Sequence, residues 1–206
     1  MPEWMKRVYR LIPLVDQWRM CAVFVLNNAE KYVSSTSPLP EHKMAMDLME
    51  RIFKLSSNPG QTNEQSLKDI KHIRNIFNEM RVLIAEIKGG KQYLQVSTDA
   101  SMAHANAFTH PGHWTKKDPN DGVWYVQAKI QPASDEFIID ATIHEFAHFC
   151  GPKGVNEVGH AMVAGNPAYG TLALGLSKTD AMVNASSYAW LAYLARKSPK
   201  DWLTAT

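Results

Sequence analysis

The sequence predicts an α+β fold, and three observations carry that expectation. Apolar residues return every three or four positions through the first ninety residues, which is the period of helices that bury one face. The pattern then changes to two short runs rich in β-branched and aromatic residues, "KQYLQVST" and "GVWYVQAKIQ". Helical spacing returns in the last third, in "IIDATIHEFAHFC" and again in "AMVNASSYAWLAYLARK". The expected architecture is one domain over 1–206. Residues 1–90 would form a helical N-terminal part, and 91–206 a small β-sheet with a motif helix and a C-terminal helix.

Residues 3–33 read as a helix, broken or kinked near Pro13, which lacks the amide that a helix interior needs. The cluster "SSTSPLP" is a loop, and Pro40 suits the first turn of the helix that "EHKMAMDLMERIFKL" continues. After a second loop, "SSNPGQTN", the residues Leu67, Ile70, Ile73, Phe77, Met80, Ile84 and Ile87 make one apolar stripe, stopped by Gly89-Gly90. The two strand-like runs are separated by the polar, turn-rich "THPGHWTKKDPNDG". Beyond the motif helix lies a glycine-rich loop from Gly151 to Gly170. A last helix starts at "SKTD", where Ser177 and Asp180 suggest a capping box, and is discouraged at Pro199.

Composition narrows the function classes. The 206 residues carry a formal net charge of +2 with the signs mixed, so no basic surface for nucleic acid or anionic membrane is expected. No glycine-rich phosphate loop follows a strand, which leaves nucleotide chemistry without support. The uninterrupted apolar segment Cys21–Leu26 is too short for a signal peptide or a membrane span. The expected setting is therefore cytoplasmic, or export by a route that needs no cleavable signal. Two cysteines, Cys21 and Cys150, do not make a disulfide scaffold, and free thiols are expected.

The residues that carry chemistry sit in "ATIHEFAHFCGP". His144, Glu145 and His148 form a His-Glu-x-x-His pattern. Residues four apart lie one turn apart on the same helix face, so both imidazoles can address one ion. Glu145 lies beside them as a base for a water that zinc activates. Ile139, Ile143, Phe146 and Cys150 mark the opposite, apolar face, and Gly151-Pro152 ends the helix. A catalytic zinc site needs a third protein ligand. The metzincin pattern would place a histidine six residues after His148, where this chain has Gly154. The segment "GVNEVGHA" offers Glu157 and His160, either of which could ligate zinc, with Glu157 preferred. His104, His110 and His113 near Trp114 read as surface histidines of a turn-rich loop. His42 and His72 read as surface or boundary residues of helices.

With "HEFAHF", "VNEVGHA" and "NASSYAWL" in this order, the chain resembles the aspzincin metallopeptidases, the deuterolysin and peptidyl-lysine metalloendopeptidase group with its bacterial relatives. The resemblance covers roughly residues 95–195. It implies a zincin-like fold and zinc-dependent endopeptidase action on a protein or peptide. Zn2+ would be held by His144, His148 and Glu157, with Glu145 as general base. Matched to the family's Thr-x-Asp-x-x-Tyr-Gly segment, Glu157 takes the place of the aspartate ligand and His160 that of the tyrosine that stabilises the oxyanion. An imidazole can still donate such a hydrogen bond. A second register, "NPAYG", puts Asn166 at the ligand and leaves Tyr169 as oxyanion donor. Ser186 stands where the family's later stretch has an aspartate, which removes a carboxylate that would orient a zinc ligand. Tyr188, in the same stretch, is weighed as a core residue first. The "GVWYV" strand is expected as an edge that holds an extended peptide.

Two further roles follow from the resemblance. A bacterial toxin of this fold, paired with an inhibitor or immunity protein, would act on a target-cell protein. A catalytically inert zinc-binding interaction domain would retain the fold without the hydrolysis.

Overall fold

A computed structural model of the chain describes residues 1–56, 63–109, 122–150 and 174–202. Helix α1, Glu3–Ser34, buries one continuous stripe from Trp4 to Val33. It runs through Pro13 without the break that the sequence left open. The proline forfeits a single amide bond to the Tyr9 carbonyl, and apolar contacts on either side hold the helix together across the gap. Helix α2, Pro40–Phe53, opens on its proline, and the Leu39 amide donates to His42 Nδ1 at 3.3 Å. Helix α3, Glu64–Lys88, starts at Asn63, whose side chain accepts from the Ser66 amide at 3.0 Å. It ends at Gly89-Gly90, where Gly90 takes φ +95°, a left-handed conformation that side chains disfavour.

Three short strands follow: β1 Leu94–Val96, β2 Ala107–Thr109 and β3 Val123–Tyr125. Their order is β1-β3-β2, with β1 parallel and β2 antiparallel to β3. Gly122 leads into β3 because a Cβ there would lie 2.6 Å from the Tyr93 carbonyl oxygen, which itself accepts from the Val123 amide at 2.7 Å. Two expectations change. The run "GVWYVQAKIQ" is a strand only in its first half; Gln127–Ile130 turns into the short helix α4. The "GVWYV" strand is also the centre of the sheet and not an edge, because β2 pairs along its second side. The strand β2 escaped the sequence reading, since three residues are too few to display a period of two.

The motif helix α5 spans Asp135–Cys150. After it, Lys178–Val183 forms α6 and Ala185–Ala195 forms α7. Ser177 caps α6 as expected, accepting from the Asp180 amide at 3.2 Å. The single last helix is instead two, divided at Asn184, which is extended at φ −97° and ψ 115°. Its side-chain amide donates to Ser187 Oγ at 3.2 Å, a local bond that competes with helical continuation.

One hydrophobic cluster runs from Trp4 to Trp202. Helix α5 lies inside it and packs against α1, α3, α7, β2 and β3. The architecture is therefore α+β and mostly helical, with a small three-stranded sheet. Among the described residues no helix is long and apolar enough to cross a membrane.

Candidate metal centre

Two arginines fix the start of α5. Arg7 of α1 donates its Nε to Asp135 at 2.7 Å, and Arg196, at the end of α7, pairs with Glu136. Both carboxylates lie in the first turn, where unpaired amides favour negative charge. The Arg196 guanidinium also lies 4.6 Å from the Trp18 ring centroid, which ties α5, α7 and α1 together. The helix is set at its N-terminal end, and its last two turns are thereby aimed.

In those turns His144 and His148 lie on one side, their rings edge to face with centroids 4.8 Å apart and Nε2 atoms 3.1 Å apart. On the far side of the first ring, His144 Nδ1 lies 3.0 Å from Ser186 Oγ of α7. Glu145 Oε1 is 4.0 Å from His144 Nε2. His144 is 1% exposed and Glu145 6%, whereas His148 is half-buried and forms the outer member of the pair. Ile139, Ile143 and Phe146 are buried as foreseen, and His144 and Glu145 are buried too, with Ser186 of α7 against the His144 ring. Cys150, on the expected apolar face, is only half-buried, and both it and Cys21 are free thiols.

The described pair has the spacing that two ligands of one metal ion would need. Two nitrogens bound to one tetrahedral zinc at ~2.0–2.1 Å stand about 3.3 Å apart, close to the separation seen here. Behind the pair, the Ser186 hydroxyl faces Nδ1 of His144, where a ligating histidine commonly meets a carboxylate, a carbonyl or water. Among the described residues no three histidine, cysteine, aspartate or glutamate side chains gather into a metal-holding group. Glu157, His160, Asn166 and Tyr169, from which the sequence draws the third ligand and the oxyanion donor, lie outside the described residues. So do His110, His113 and Trp114; His104 is exposed.

Beneath the centre the sheet meets the helix through hydroxyls. Thr142 Oγ1 donates to the Ile138 carbonyl at 2.6 Å, and the Tyr125 hydroxyl lies 2.9 Å from the same Thr142 oxygen. Burial pushes the Tyr125 hydroxyl far above its ordinary range; Thr142 opposes the shift and the Glu145 carboxylate adds to it. Tyr125 is therefore a neutral donor at any ordinary pH. Tyr188 belongs to the core. Its ring lies 5.3 Å from Phe53 and 5.9 Å from Phe77, and its hydroxyl donates to the Met182 carbonyl at 2.8 Å.

Ser186 is the residue whose part the sequence reading missed. At its position the family resemblance marked the loss of an orienting carboxylate, yet a hydroxyl stands in reach of the same ring. The local signal was "NASSY", whose short polar side chains belong at a helix start. Comparison with protein-family models, curated proteins and solved structures finds no match to this chain.

Proposed function

We propose that this chain is a zinc-dependent metalloendopeptidase with a zincin-like fold, akin to the aspzincins, and that residues 1–206 form one such domain. One observation carries the reading: two imidazole Nε2 atoms lie 3.1 Å apart, and that of His144 is 4.0 Å from a buried carboxylate. A hydrophobic core has no need of that carboxylate, since an ionisable group buried there costs stability unless it serves a purpose.

In this reading His144 and His148 hold the ion, with Glu157 as third ligand. Zinc supplies Lewis acidity and an activated water. Glu145 takes the proton from the attacking water and passes it to the leaving amine. His160, or Tyr169 in the second register, donates a hydrogen bond to the carbonyl oxygen as its negative charge develops. The sheet offers its edges, β1 and β2, to an extended peptide; β2 lies against α5 and is the nearer.

The test pairs metal content with hydrolysis of an unfolded protein substrate, for the native chain and for Glu145→Gln. The substitution keeps shape and zinc while removing the base, so hydrolysis should fall about 10²–10⁴-fold. Equal hydrolysis by both proteins would overturn the reading.

The enclosure of His144 and Glu145 favours a second reading, an inert zinc-binding interaction domain. One equivalent of zinc without Glu145-dependent hydrolysis would select it.

A further inference from the structure

The proposed centre leaves one contact unexplained. Ser186 is wholly buried on α7 and reaches across to His144, 42 positions earlier in the chain, with Oγ 3.0 Å from Nδ1. We infer that Ser186 is a positioning residue: its hydroxyl oxygen accepts the Nδ1–H of His144 and holds the ring so that the Nε2 lone pair faces His148. The inference rests on the metal reading for its purpose, but its geometry stands by itself.

The reasoning is a count of protons. A neutral imidazole carries one N–H and one lone pair. If the proton sits on Nδ1, Ser186 accepts it, and Nε2 is left bare toward the place where a cation would sit. The short contact between the two Nε2 atoms then also resolves, because His148 Nε2–H donates to the bare nitrogen of His144. Each bond in the chain from His148 to His144 to Ser186 has one donor and one acceptor. The opposite arrangement makes Ser186 the donor and puts the shared proton on Nε2 of the enclosed His144; with Ser186 as acceptor, the proton that a cation would displace sits instead on the half-buried His148.

Ser187 provides the comparison. It is the next residue, equally buried, yet its Oγ accepts from Asn184 Nδ2, at the start of its own helix. Removing either hydroxyl disturbs the same helix turn, but only one of them bears on His144.

The experiment is a long-range 1H–15N correlation spectrum of the zinc-free full chain, labelled at histidine, at neutral pH, together with zinc titrations. In the native chain His144 is expected with a protonated Nδ1 and a bare Nε2. Ser186→Ala should release it into a tautomer mixture and weaken zinc binding about 10–100-fold. Ser187→Ala should change neither. A His144 protonated on Nε2 in the native chain overturns the inference, and so does a Ser186→Ala variant that matches the native tautomer and affinity. If the native chain binds no zinc, the spectrum still decides the positioning role, and the metal reading fails alone.

Discussion

Two imidazoles, one carboxylate and one hydroxyl make up the described part of the centre, and what each can do follows from its neighbours. His144, Glu145 and His148 were legible in the sequence because a spacing of four projects side chains to one side of a helix. Ser186 was not legible as a partner, because its bond to His144 joins α7 to α5 and depends on tertiary packing. Support beneath the pair is local and measurable. Replacing Tyr125 by Phe removes the bond to Thr142, which still donates to Ile138, so urea unfolding should show a loss of about 1 kcal/mol. A pH effect arises elsewhere on α1. Burial works to raise the Asp16 carboxyl, but hydrogen bonds from Lys88 and Arg19, with their charges, outweigh it and hold the group below its ordinary 3.8. A depressed carboxylate contributes stability that is fully present above the ordinary value and is lost as pH falls through the folded one. Asp16→Asn should therefore be less stable than the native chain near about pH 6, with the two converging near about pH 2.

Helices were read from the sequence far better than strands or joints. Long apolar stripes located α1, α2, α3 and α5 to within a few residues, since each spans several turns and the pattern repeats. The strand β2 is three residues long, and the division at Asn184 rests on one extended residue; neither leaves a periodic trace. Pro13 shows the limit of a local rule, as a strong breaker is carried by a 32-residue helix with a continuous buried face. Its cost should still be visible. Pro13→Ala restores the amide on the exposed side of α1 and should stabilise the protein by about 1–3 kcal/mol. At the start of α3, Asn63→Ala should cost about 1 kcal/mol and Asn63→Asp much less, because only the first loses the acceptor for the Ser66 amide.

Across the molecule, one core joins the N-terminal helices to the elements that carry the centre. Tyr188 makes the link explicit, with its ring against Phe53 of α2 and Phe77 of α3 while its own helix, α7, supplies Ser186. Tyr188→Ala should destabilise by about 3–5 kcal/mol, as do large aromatic truncations in packed cores. Thermal unfolding should remain a single transition at a lower midpoint; two separated transitions would mean that the helical half and the centre fold independently. The burial of α5 from Ile138 to Ala147, which the sequence did not announce, has the same origin: α1, α3, α7, β2 and β3 all pack against this helix. The central claim, that His144 and His148 converge to hold a divalent cation, is tested most directly by zinc content after exhaustive dialysis of the native chain, His144→Asn and His148→Asn. The account predicts one equivalent in the native chain and loss of it in both variants. A metal-free native protein, or full zinc retained after either substitution, would contradict it.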